Sequence, residues 1–151
     1  MCIKNTIKKS YLFLKNNYSY ITSIYLLLCR AYVFLIFFKS GWLKLEGALR
    51  GNWHVVEYLF QHEYNIPFIH YKTTAIIGTF SELFFPLLLL LGLVNRASAI
   101  VTISMILFMN FSYMYHNTYF IWGILVLNIL IFGPGKFSID HIISKKAKSK
   151  I

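Results

Sequence analysis

Arg30 and Glu82 stand inside long apolar runs, and chemistry in this chain is to be sought there first. A charge at mid-depth in a bilayer costs roughly 2.5–3.5 kcal/mol on insertion scales, so such residues persist where they are paired or used. Arg30 lies near the middle of the run Tyr20–Phe38, and Glu82 near the middle of Thr74–Leu93. Consecutive spans run antiparallel, so the two charges can meet at one depth. A meeting of that kind has two readings. It can be an assembly clamp between the first two spans, or a polar site for a ligand head group or a proton. Under either one, losing a single partner strands the other charge and harms assembly. Gly41 follows Arg30 by eleven residues and Lys44 by fourteen, near the same helical face if the helix continues that far. Arg96 stands in the same relation to Glu82. Antiparallel packing would put Lys44 and Arg96 at opposite membrane surfaces, with a polar stripe between rim and centre. Gly78, one turn before Glu82, permits close helix approach.

The remaining polar residues point to less. Asn110 and Asn128 lie within apolar runs, where interhelical amide hydrogen bonds explain them. His116 sits at an expected span end and could titrate near neutral pH, although a solvated loop histidine explains it as well. His54, His62 and His70 recur every eight residues, a spacing that does not share one helix face, so no metal site is predicted. Cys2 and Cys29 form no C-x-x-C pair, which removes the usual dithiol and zinc arrangements. Leu26-Leu27-Leu28-Cys29 imitates a lipoprotein box, but the residue before the cysteine is not small and Arg30 follows inside the apolar run. No small-residue cleavage site follows the first apolar stretch, so a removed signal peptide is not expected. No phosphate-binding glycine loop or nucleophile triad appears, and no reaction can be read from the motifs alone.

The elements that must position these residues follow from composition. Of the 151 residues 58% are hydrophobic and only 13% are charged, where soluble domains carry roughly 25% charged. So many Phe, Tyr, Leu and Ile side chains need an apolar solvent. The sequence therefore predicts an all-α polytopic membrane protein, a four-transmembrane-helix bundle with a short interfacial helix in its first loop. Residues 1–19 form a basic amphipathic segment. Residues 20–140 form the membrane domain, with spans at about 20–38, 74–93, 97–113 and 119–132. Residues 141–151 form a basic tail. In the connection 39–72, Trp53, Val56, Leu59 and Phe60 line one side of the short helix, which Asn65-Ile66-Pro67 ends. Pro86 is tolerated inside a membrane helix, and Gly133-Pro134-Gly135 stops the last span. The formal net charge is +10, with lysines crowded at both termini, a pattern of membrane-surface charge rather than of a nucleic-acid groove. The lysine and arginine distribution puts both termini in the cytoplasm.

Three motifs carry a resemblance. Arg30 is followed by Gly41-Trp42-Leu43-Lys44; Glu82 by Gly92-Leu93-Val94-Asn95-Arg96; and the last span by Gly133-Pro134-Gly135-Lys136-Phe137-Ser138-Ile139-Asp140. Over roughly Leu28 to Asp140 the chain resembles the DoxX family. The resemblance implies a small four-span protein of a prokaryotic cytoplasmic membrane. It marks Arg30, Gly41, Lys44, Glu82, Gly92, Arg96 and the segment Gly133–Asp140, including Pro134, Gly135 and Asp140, as motif positions. It further implies a membrane subunit or anchor associated with a quinone-linked or thiol-stress redox system, with quinone as the ligand and a redox protein as partner. The chain departs from that picture in lacking paired cysteines and a haem-ligand pair within its spans. A non-redox carrier, a binder of lipid or another small molecule, or an accessory assembly protein is the alternative; a freestanding enzyme has no residues to support it. Self-association into a homo-oligomer fits four short spans with small loops.

Overall fold

The computed structural model describes residues 2–63, 69–112 and 117–148, with side chains for 17–63, 69–111 and 117–147. Among the described residues every regular element is helical: α1 (Cys2–Leu49), α2 (Trp53–His62), α3 (Tyr71–Leu91), α4 (Asn95–Ser112), α5 (Asn117–Phe132) and α6 (Ile139–Lys148).

α1 runs without a break through Lys39, Ser40 and Gly41, where the sequence reading ended the first span. Serine and glycine weaken a helix locally, but no proline removes its hydrogen bonds, and Gly41 lies on the face packed against α3. The helix stops at a Schellman turn. Gly51 takes φ +79°, its N–H donates to the Ala48 carbonyl, and the Asn52 N–H donates to the Gly47 carbonyl. α3 continues through the buried Pro86 and ends in the same motif, with Gly92 left-handed at φ 64° and the Leu93 N–H donating to Leu88. α5 ends at Gly133, also left-handed. Residues 141–148 of the expected tail 141–151 belong to the helix α6, which begins at Ile139 and is capped by Ser138, whose Oγ accepts from the His141 N–H. The expected stop at Asn65-Ile66-Pro67 lies outside the described residues.

α1 packs on α3 and α5, α4 packs on the same two helices, and α2 leans on α1 and α3. Val33, Phe37, Leu89, Ala99, Val126 and Ile129 fill the centre, and the Phe37 ring meets Trp122 edge-on at 5.9 Å. α2 adds a smaller cluster in which Val56 and Phe60 close over Ala75. Outside this core the surface is apolar: Leu28, Leu35, Phe80, Phe120 and Ile131 are all more than half exposed. Exposed apolar area on that scale belongs against lipid rather than water. Asn17–Leu49 of α1 and all of α3 are long and apolar enough to cross a membrane; α4 and α5 are apolar but shorter.

Candidate functional site

The antiparallel register of α1 and α3 decides which charges meet. Gly41 brings the backbones together: a Cβ there would lie 2.9 Å from Leu83 Cγ and 3.1 Å from Glu82 Cβ. With that contact fixed, the residue of α1 that faces Glu82 is Lys44. Its ammonium donates to both carboxylate oxygens, at 2.5 and 2.6 Å. Lys44 is 8% exposed and Glu82 2%, so both charges have left water. Ser40, one turn back, accepts a further hydrogen bond from Lys44 at 3.3 Å, and the Phe60 ring lies over the ammonium with its centroid 5.8 Å away. Phe60 is held there by Gly78, since a Cβ at 78 would fall 2.7 Å from the ring edge. Gly78 thus does permit close approach, but to α2.

Arg30 is not the partner of Glu82. It lies fourteen residues before Lys44, about 21 Å along the helix. There α1 faces the end of α3. The guanidinium, fully buried, donates from Nη1 to the Leu90 carbonyl at 3.3 Å and from Nη2 to the Phe137 carbonyl at 2.6 Å. The last carbonyls of a helix have no partners within it and carry its negative dipole end, so a buried cation there is stabilised without a carboxylate. The expected Arg30–Glu82 pair assumed a first span ending near Phe38; α1 is longer, and its register puts Arg30 at the C-terminal end of α3.

The segment after α5 completes this second cluster. Gly135 packs on the Ser23 backbone, with room for a Cβ only 3.2 Å from Ser23 Cα, and the Lys136 N–H donates to Ser23 Oγ. Gly92 has no space for a side chain: a Cβ would collide with Arg30 and lie 2.5 Å from Ser138 Cβ. Asp140 donates its N–H to the Gly92 carbonyl, and its carboxylate accepts from the N–H groups of Val94 and Asn95, the open donors at the start of α4. A cation therefore seals the end of α3 and an anion the start of α4, both anchored through residues 137–140. Arg30, Gly92, Gly135 and Asp140 are brought together here; Gly133 and Pro134 form the turn leading in. Arg96 is exposed beside this cluster and belongs to neither buried site. His116 lies outside the described residues. Asn128 donates to the Ile124 carbonyl of its own helix rather than across an interface. Asn110 lines an apolar groove between α4 and α5.

A family model described as DoxX matches residues 25–114. The chain belongs to the DoxX family. It is accordingly a membrane protein of that family, in contact with the lipid bilayer. The match includes Arg30, Gly41, Lys44, Glu82, Gly92 and Arg96 but ends before the segment Gly133–Asp140, which the structure nonetheless joins to Arg30 and Gly92. No curated protein and no solved structure matches the chain.

In this DoxX-family protein the Lys44–Glu82 pair adjoins open space. A cavity of about 450 Å³ lies between α3 and α4 under Phe60, walled by Ile77, Val101, Met105 and Phe108, with Glu82 at its edge. Among the described residues Glu82 is the one charged residue of that lining. Phe60 and Ser40 are contributors that sequence reading had not placed at the site. The spacing of Ser40 and Lys44, four residues on one helix, was the available signal for Ser40. None existed for Phe60, whose role depends on how α2 docks.

Proposed function

We propose that this DoxX-family protein binds the head group of a quinol in the cavity between α3 and α4 and serves as a membrane subunit or anchor of a quinone-linked or thiol-stress redox system. The observation that carries the reading is the apolar cavity bordered by a single buried carboxylate. A carboxylate held by Lys44 only accepts hydrogen bonds, so a fitting head group must donate one, as a quinol hydroxyl does. The apolar walls match a substituted ring, and the cavity is of the size that small-molecule sites have. Glu82 would orient the ring, Phe60 and Phe108 would enclose it, and the quinol itself would supply the two-electron chemistry to a partner protein.

The wider setting belongs to the same proposal. All of α1, α3, α4 and α5 cross a prokaryotic cytoplasmic membrane, α2 lies in the outer interface, and both termini are cytoplasmic. What supports this is that Arg96, Lys136, Lys145 and Lys146 lie at the end of the helices where the apolar run of α1 begins, and that the sequence before that run is rich in lysine. A homo-oligomer would use the exposed apolar faces.

A second reading is a non-redox carrier or binder of lipid, or an assembly factor. It is favoured by the cavity's almost wholly apolar lining, which would also take an acyl chain. Native mass spectrometry of the full chain in mild detergent separates the two. Short-chain quinol and lipid are added to wild type and to Ser104→Phe, which fills the cavity from an exposed position of α4. Retention of quinol by wild type alone supports the first reading. Retention of lipid alone, lost in the variant, supports the second, and quinol bound equally by both proteins overturns the cavity as its site.

A further inference from the structure

The opposite end of the molecule carries a different chemistry. Two adjoining clefts, of about 980 and 590 Å³, flank α6 where it turns back beside the start of α1's apolar run. Both are bordered by Lys136, His141 and Ser144, and the larger also by Lys145 and Lys146. Asp140 is the acidic residue among their linings, and both its oxygens are engaged by the N–H groups of Val94 and Asn95. The field in the clefts is therefore positive. Lys136 extends over the ring of Tyr20 at 3.9 Å, which keeps its ammonium at the mouth. Phe137 and Ile142, each about half exposed, border the larger cleft. Tyr20 lies three residues into the apolar stretch that begins at Asn17, at the depth where tyrosines meet head groups.

We infer that the cleft between α6 and the start of α1's apolar run binds the phosphate of an anionic phospholipid, with Lys136, Lys145 and Lys146 supplying the charge and Phe137 and Ile142 the apolar border. A free phosphate would gain nothing from those apolar side chains, whereas a phospholipid presents phosphate and hydrocarbon together. α6 has an amphipathic make-up, with Ile142 and Ile143 among lysines, and is suited to lie in the head-group layer. Each lysine near an anionic surface contributes enough that two of them change affinity by roughly tenfold or more.

The test uses the delipidated full chain in neutral detergent, titrated with dioleoylphosphatidylglycerol, dioleoylphosphatidylcholine or inorganic phosphate and read by native mass spectrometry. Phosphatidylglycerol is expected to be retained, and the other two are not. Lys145→Gln with Lys146→Gln, both on exposed positions, should weaken phosphatidylglycerol roughly tenfold or more, and Lys136→Gln should weaken it separately. Arg50→Gln with Lys72→Gln removes the same charge from the far end and should leave binding unchanged. Equal losses in the two double variants would reduce the effect to bulk charge and overturn the site. Phosphatidylcholine bound as tightly as phosphatidylglycerol, or inorganic phosphate displacing it at like concentration, would overturn the lipid assignment.

Discussion

Lys44 and Glu82 are costly to bury singly and tolerable together. Removing one partner from a buried pair leaves an unmatched charge and destabilises by about 3–5 kcal/mol, while replacing both by apolar groups of similar volume is often close to neutral. Lys44→Met and Glu82→Leu are each expected to lower stability by that amount, and the double variant to recover most of it. Unfolding of the detergent-solubilised variants followed by helical circular dichroism checks this. The double variant also tests the proposed quinol site: it is expected to fold yet retain no quinol, because it lacks the carboxylate proposed to accept the head-group hydroxyl. A double variant that still binds quinol would put the head group elsewhere. Arg30 behaves differently because its partners are backbone carbonyls. Among the described residues its Nε has no hydrogen-bond partner, so the guanidinium is held by two of its three nitrogens and by the dipole at the end of α3.

At the scale of the element, the glycines of α1 lie in different surroundings. Gly41 touches α3 and Gly47 has no neighbouring atom within 4 Å of where a Cβ would sit. Gly41→Ala is therefore expected to force α1 away from Glu82 and to cost about 1–3 kcal/mol. Gly47→Ala meets nothing and gains the ordinary helix preference of alanine, about 0.5–1 kcal/mol. Melting temperatures that move in opposite directions for the two variants support a helix continuous to Leu49. A decrease for Gly47→Ala would argue that α1 ends earlier. α3 continues through Pro86, which is buried among neighbouring helices, and Arg30 donates to the Leu90 carbonyl near its end.

For the whole molecule, the crossing number is the central question of organisation. The apolar parts of α4 and α5, Asn95–Phe111 and Asn117–Phe132, span about 25 Å each, slightly less than a ~30 Å hydrocarbon core. A mismatch of that size costs fractions of a kcal/mol per Å and is met by local thinning. Single cysteines at Asn52, Asn117 and Ser144, in a Cys2→Ser background that keeps the buried Cys29, report the topology through a membrane-impermeant maleimide. Four crossings predict that 52 and 117 label from outside intact cells and 144 only after lysis. Labelling of 117 with 144 would mean that α4 and α5 form a hairpin that does not cross.

The membrane character, the helical class and the family were all legible in the order of residues, because hydropathy, breaker residues and short motifs act locally. So were the turn at Gly92, the stop at Gly133 and the short helix with Val56 and Phe60 on one side. Pairing was not legible. Which cation meets Glu82 depends on the register of α1 against α3, and that register is set by a close contact between Gly41 and Glu82–Leu83 that spacing along one helix does not contain. The sequence, read alone, placed Arg30 at mid-depth because lysine, serine and glycine looked like a helix end. Packing kept the helix going and moved Arg30 to the last carbonyls of α3. In the same way, Gly133 to Asp140 read locally as a stop signal, and only folding back on Ser23, Arg30 and Gly92 made it the tie between α1, α3 and α4. Local interactions decide what each segment is; contacts between residues far apart in the chain decide which charges share a site.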